Sequence, residues 1–186
     1  MKLVAGLGNP GGGYADTFHN VGFLALDRLA SRLDAPRFYE KGDAQLCDVV
    51  NSAGEKVFLC KPQTYMNLSG DAIFALSRYY KIPPESILVI YDDIDIKRGT
   101  VRARLNGSAG THNGMRDIVR KLGSENFARV RIGTGFKPDY IQLVDYVLMH
   151  IPSVDKPVLD KAFDAACDFV EDWINGKPWQ NLTVNV

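Results

Sequence analysis

Apolar positions along the chain fall into two periods. Lys2 to Leu7 and Ser86 to Tyr91 (SILVIY) are short continuous apolar runs, as expected of strands buried on both faces. Asn20 to Leu33 (NVGFLALDRLASRL) sets Val21, Leu24, Ala25, Leu29 and Leu33 at helical spacing. Gln45 to Val50 and Lys56 to Cys60 flank the turn NSAGE and predict a hairpin. Asn67 to Tyr80 predicts a second helix, which Ile82-Pro83-Pro84 interrupts. Gly99 to Arg104 and Arg129 to Gly133 predict strands, with a helix from Gly114 to Leu122 between them. Asp155 to Ile174 predicts a long amphipathic helix. Strands alternate with helices, without repeat, low-complexity tract or linker. The expected fold is α/β: a single three-layer domain over residues 1–186, with a mixed, twisted β-sheet flanked by helices.

Composition adds little to this and excludes some classes. A length of 186 residues, 46% hydrophobic and 24% charged, is ordinary for a soluble globular chain with a substantial core. No apolar run approaches the roughly 20 residues that span a bilayer. No signal-type segment opens the chain, so a cytoplasmic location is expected. Cys47, Cys60 and Cys167 are odd in number, widely spaced and without metal-ligand spacing, which suits core packing in a reducing compartment.

Charge is unevenly distributed. The formal net charge is zero, yet Lys97 to Arg131 holds nine basic residues against Asp117 and Glu125. From Asp139 to Asp172 eight acids face only Lys156 and Lys161. A basic segment in a neutral protein suggests contact with a polyanion. Solvated faces, or pairing with the acidic stretch from Asp155 to Asp172, are the alternative uses.

Candidate chemistry starts at VAGLGNPGGGY, where Gly6, Gly8 and Gly11 have the G-x-G-x-x-G spacing of a dinucleotide-binding turn. In such a turn the helix begins inside the motif, and an acid follows ~20 residues on at the end of a second strand. Here the helical pattern starts only near Asn20, and Asp34 follows a helix. An NAD-dependent oxidoreductase is therefore poorly supported. His19 and His112 each precede an asparagine at the entrance to an expected helix, a common setting for sites. His150, before Ile151-Pro152, is expected to be a structural or surface residue.

In VIYDDID, Asp92 and Asp93 end the most apolar strand, where open α/β sheets bind ligands. They fit a Mg²⁺ site, a capped turn, or an acid that orients a histidine base. No G-x-x-x-x-G-K-[ST] is present to cradle a phosphate, and with a histidine loop also expected at this edge of the sheet the histidine–aspartate reading is favoured for one of the two. With no G-x-S-x-G elbow and no cysteine beside a histidine, a covalent acyl intermediate is disfavoured.

GLGNPGGGYADTFHNVG, KPQTYMNLSG, VIYDDID and GTHNGMRDIVRKLG occur in the order and approximate spacing found in bacterial peptidyl-tRNA hydrolase. The chain resembles that family over nearly its whole length. The resemblance implies a monomeric esterase that cleaves the bond between a peptide and the 3′ ribose of tRNA. It implies no metal, no organic cofactor, no membrane association and no obligate protein partner besides peptidyl-tRNA as substrate. By the same resemblance His19 is the catalytic base and Asp92 its partner. Asn9 and Asn67 position substrate, Asn113 helps hold water and peptide, and Tyr14, Met66 and His112 line the cleft. Arg102, Arg104 and Arg131 fall where the family contacts tRNA phosphate. Phe136 to Met149 corresponds to a lid. Two positions depart from the family pattern: Phe18 stands where a basic residue is usual, and Thr111 where glycine is usual.

Overall fold

A computed structural model describes Met1–Val186. One eight-stranded mixed sheet organises it. β1 (Lys2–Gly6), β4 (Lys56–Pro62), β5 (Ile87–Asp93) and β7 (Ala128–Gly133) run parallel at its centre. β3 (Ala44–Val50) and β2 (Tyr39–Lys41) extend one side antiparallel, and β6 (Thr100–Arg104) and β8 (Leu182–Asn185) extend the other. The order is β2-β3-β4-β1-β5-β7-β6-β8.

The three-layer α/β expectation holds. α1 (Val21–Arg32) and α5 (Lys156–Ile174) cover one face, and α2 (Ser69–Tyr80) and α3 (Asn113–Leu122) cover the other. Alternate residues of the central strands feed the two cores: Val4, Leu88 and Ile90 go to the α1/α5 side, and Leu3, Ala5 and Val89 to the α2/α3 side. The short α4 (Leu143–Val147) lies between β7 and α5. No helix is long and apolar enough to cross a membrane. All three cysteines are free and buried, as expected of core residues.

The glycine motif at β1 is a packing device. A Cβ on Gly6 would come within 2.3 Å of the Gly22 carbonyl oxygen, and one on Gly8 within 2.7 Å of the Phe23 ring. A Cβ on Gly22 would lie 2.5 Å from the backbone of Leu7 and Ile90. These glycines let the first turn of α1 press onto β1 and β5, and α1 begins ten residues beyond Gly11. The glycines are occupied with helix–sheet contact rather than pyrophosphate approach.

The acidic stretch of α5 is taken up by α1. Arg28 pairs with Asp160 at 2.8 Å and Asp164 at 3.4 Å, and Arg32 with Asp168 at 2.7 Å and Glu171 at 2.8 Å. Of the basic run only Arg98 reaches that stretch, at Asp155. The alternative use of Arg102, Arg104 and Arg131 as partners of the acidic helix is thereby corrected.

Candidate active site

Four parallel strands put their carboxyl ends on one edge of the sheet, so the loops that follow them converge there. β1 leads to Asn9 and β5 ends in Asp92 and Asp93. β4 is followed by a 3-10 turn, Met66–Leu68, and the chain before α3 brings Ser108 to His112. A second 3-10 turn, Phe18–Asn20, carries His19 at the start of α1. Between them lies a cleft of about 570 Å³, within the size range of small-ligand sites.

At its floor His19 Nδ1 lies 3.0 and 2.9 Å from the two oxygens of Asp92. His112 Nε2 lies 2.9 Å from Oδ1 of the same carboxylate. Asp92 is only 2% exposed. The tautomer of His112 follows from its other nitrogen. Nδ1 accepts the backbone N–H of Met115 at 3.2 Å and caps α3, so the hydrogen must sit on Nε2 and be donated to Asp92. With His19 Nδ1–H also directed at Asp92, His19 Nε2 is left as the free nitrogen in the cleft. Burial opposes charge on both groups, but their mutual attraction outweighs it. The His19 pKa rises above the ordinary 6.5, and the Asp92 pKa falls well below the ordinary carboxylate range, helped by His112.

The asparagine side is equally constrained. Asn9 and Asn20 exchange hydrogen bonds: Asn9 N–H to Asn20 Oδ1 at 2.9 Å, and Asn20 Nδ2 to the Asn9 carbonyl at 3.0 Å. Asn9 Oδ1 accepts the Met66 N–H at 2.7 Å. That bond fixes which end of the Asn9 amide is oxygen, and it leaves the NH₂ end for the cleft. Met66 is delivered by Tyr65, whose φ of 60° and ψ of 159° lie in a region costly for any residue but glycine. Strain of about 1–3 kcal/mol at such a position is typical of functional sites. A Cβ on Gly114 would meet Met66 Sδ at 2.7 Å, so the H-N-G glycine lets α3 close against the same turn.

The cleft thus contains His19, Asp92, Asn9, Met66, Asn67, His112, Asn113 and Arg131 of the residues expected from sequence. Asn67 and Asn113 are both exposed in it, and His112 is half-buried. Tyr14 is a correction: it does not line the cleft but meets the lining residue Tyr65 edge-on, ring centroids 6.3 Å apart. The 3-10 turn Gly12–Tyr14 carries it outside Tyr65. Arg102 and Arg104 also lie outside the cleft. On the paired strands β6 and β7, Arg102 stands directly opposite Arg131 and Arg104 opposite Arg129. Arg104 donates to the Leu182 carbonyl at 2.7 Å and to Thr183 Oγ1 at 3.3 Å, holding β8. Arg129, 1% exposed, is spent on the carbonyls of Ser108, Glu125 and Phe127. Sequence reasoning misses Asn20, the Tyr65 backbone and Arg129; only the asparagine- and glycine-bearing loop motifs hint at such bracing. His150 is on the surface, paired with Asp16.

Ligand atoms of His19, Asp92 and His112 lie within 4.8 Å of one another. Their wiring does not suit a cation. A cation at His112 Nε2 would displace the one hydrogen on that ring while Met115 still donates to Nδ1. Asp93 is committed as well, to Arg131 Nε at 2.8 Å and to the Asp95 N–H at 2.8 Å. Of the readings of VIYDDID it fits the capped turn, and the ion pair to Arg131 is an addition.

The peptidyl-tRNA hydrolase family model matches residues 3–185. A peptidyl-tRNA hydrolase of Lacticaseibacillus casei is 43% identical over 182 residues, 98% of this chain and 97% of its own. One of Bacillus cereus is 44% identical over 183 residues, again 98% and 97%. The crystal structure of peptidyl-tRNA hydrolase from Acinetobacter baumannii matches with a TM-score of 0.87 at 36% identity, covering 95% of this chain and 89% of that one.

Proposed function

The chain belongs to the peptidyl-tRNA hydrolase family, and from that premise we propose that it hydrolyses the ester between a peptide and the 3′ ribose of tRNA. His19 Nε2 takes a proton from water, which attacks the ester carbonyl; the tetrahedral intermediate then breaks its bond to the ribose 3′ oxygen, which takes the proton back from His19 as it leaves, freeing the peptide acid and the tRNA. Asp92 holds the imidazole by Nδ1 and stabilises the imidazolium that forms. The Asn9 NH₂ and the amides of Asn67 and Asn113 orient the peptide and the developing oxyanion without competing for the proton. His112 keeps Asp92 in place. Arg131, with Arg102 and Arg104, attracts the phosphates of the tRNA end. Burial, with Arg131 and Arg102 as like-charged neighbours, pulls the Arg104 pKa down, a repulsion that a polyanion would relieve.

The observation that carries this reading is the wiring at the cleft floor. A buried carboxylate collects two imidazole N–H groups and leaves His19 one free nitrogen among asparagine amides. Three free, buried cysteines suit a protein of the cytoplasm, and it is proposed to act there as a monomer.

The test is release of tRNA from an N-blocked aminoacyl-tRNA, with a minimal N-blocked ester lacking the tRNA body run in parallel. Turnover of both is expected, and EDTA should leave turnover of the minimal ester unchanged. Turnover without added nicotinamide cofactor separates this reading from an oxidoreductase. Tight RNA binding with no cleavage would overturn it in favour of a binding module.

A further inference from the structure

The segment between β7 and α5 is anchored beside the catalytic turn. α4 presents Leu143, Val144 and Val147 to the cleft, while its Tyr146 is buried behind that wall. The Tyr146 hydroxyl donates to the Thr134 carbonyl at 2.9 Å and accepts from Arg98 Nη2 at 3.3 Å. Arg98 also donates from Nε to the Thr134 carbonyl at 3.0 Å and pairs with Asp155 at 2.7 Å. Phe18 lies between them, 1% exposed. Its ring stacks on Tyr146 with centroids 5.3 Å apart and planes 23° apart. The Arg98 guanidinium sits 5.0 Å from the same ring. The backbone continues the connection: Phe18 N–H donates to the Met149 carbonyl at 3.1 Å, and Ile151 N–H to that of Asp16 at 2.8 Å.

We propose that Phe18, Tyr146 and Arg98 are positioning residues that join the α4 wall and the His19 turn into one unit. The proposal rests on His19 as the base. Phe18 and His19 share one 3-10 turn, so the seat of the Phe18 ring sets the backbone from which the imidazole projects. α4 has five residues, too few to be a stable helix by itself, so its place depends on what Tyr146 touches. The aromatic stack ties the two together, and the Tyr146 hydroxyl ties both to the end of β7. The Arg98 guanidinium adds a cation over the face of the Phe18 ring, which favours that one seat for it.

Three variants test this: Phe18→Met, which keeps volume but not the flat ring; Tyr146→Leu, which removes ring and hydroxyl; and Tyr146→Phe, which keeps the stack. Each is measured for melting temperature and for kcat and KM on the full substrate and the minimal ester. Phe18→Met and Tyr146→Leu should lower kcat about tenfold on both substrates, as misplacement of a catalytic group does, with KM for the full substrate changed less than about twofold. Tyr146→Phe should keep most of the turnover. The double variant Phe18→Met, Tyr146→Leu should lose little beyond the worse single one, because both break one contact. Unchanged kcat in either ring variant overturns the proposal, whatever happens to its melting temperature. So do losses that simply multiply in the double variant. If the ring variants do not fold, Arg98→Lys decides: it keeps a charge for Asp155 but not the plane over Phe18. It should lower kcat by about threefold, and no change would count against the proposal. Full activity of His19→Ala would instead overturn the base assignment on which the proposal rests.

Discussion

The His19–Asp92–His112 cluster and the arginines of β6 and β7 adjoin at Arg131, and they are built on opposite principles. In the cluster every polar contact is specified: two imidazoles on one carboxylate, one N–H on His112 Nδ1, one on Asn9 Oδ1. Among the arginines like charges stand opposite each other, and the Arg102 Nε is buried without a hydrogen-bond partner. On the proposed function, the difference matches what each part would do. Proton transfer demands position, since a displacement of about 1 Å can cost ~10²-fold in rate. Attraction of phosphates acts over a Debye length of about 8 Å and tolerates looser placement. Substitutions in the first region should therefore change kcat, and those in the second should change binding and its salt dependence.

The largest effect is expected at the free imidazole nitrogen. His19→Ala should lower kcat by ~10²-fold or more on both the full substrate and the minimal ester, the range for loss of a general base. Binding of tRNA, measured by a filter or fluorescence assay, should hardly change. Near-normal turnover in the folded variant would remove His19 from the mechanism. Next is Asp92→Asn, expected to lower kcat by roughly 10-fold to 10²-fold, less than at His19 because an unoriented imidazole keeps some basicity. A loss confined to KM would contradict its place in the cluster.

Dependence on pH sharpens the same contrast. His19 must be neutral to accept a proton, and its pKa is raised by Asp92 against the effect of burial. Rate should therefore rise with pH through a midpoint above 6.5. In Asp92→Asn the attracting carboxylate is gone while burial remains, so the midpoint should move down. A midpoint that stays put in the variant would show that Asp92 does not set the basicity of His19. Attraction of phosphates involves no proton transfer at His19, so tRNA affinity should follow no such limb.

Much of this contrast is legible in the chain, and the parts that are not have a physical reason. β1, β5, α1, α2, α3 and α5 bury long faces, so their period survives in the sequence. β2, α4 and β8 leave no such trace. β2 and β8 are short and largely exposed, and they exist because β3 and β6 offer them a ladder. α4 is shorter than two helical turns and cannot display a period. At the site, residues clustered in motifs are readable: His19, Asp92, Asn9, Met66, Asn67, His112 and Asn113. The tautomer of His112, the brace of Asn20 and the backbone of Tyr65 are not, because each depends on how separate loops meet in the fold. Tyr14 sits in a motif yet misses the cleft, since adjacency in sequence does not set where a short 3-10 turn points its ring. In the basic run, composition counts Arg129 with the rest, although its guanidinium is consumed by three carbonyls inside the protein.

The smallest effect on turnover is expected at the arginines, and the two outer ones should not behave alike. Arg102 makes no ion pair, so Arg102→Ala removes charge and little else. Arg104 also holds Leu182 and Thr183, so Arg104→Ala should loosen β8 and lower the melting temperature as well. Arg102→Ala should weaken binding of all tRNAs alike and flatten the slope of log affinity against log salt. The expected change is roughly 0.9 for each duplex phosphate no longer neutralised, or about 0.7 for a single strand. The double variant should flatten the slope further. KM for the full substrate should rise while kcat at saturation changes little, because a uniform binding contribution has gone. The minimal ester has no tRNA body, so its turnover by Arg102→Ala should equal that of the parent. An unchanged salt slope in the double variant, or equal damage to both substrates by Arg102→Ala, would return these arginines to a structural role. It would also leave Arg131, which already pairs with Asp93 at the cleft, as the only one of the three placed to meet substrate.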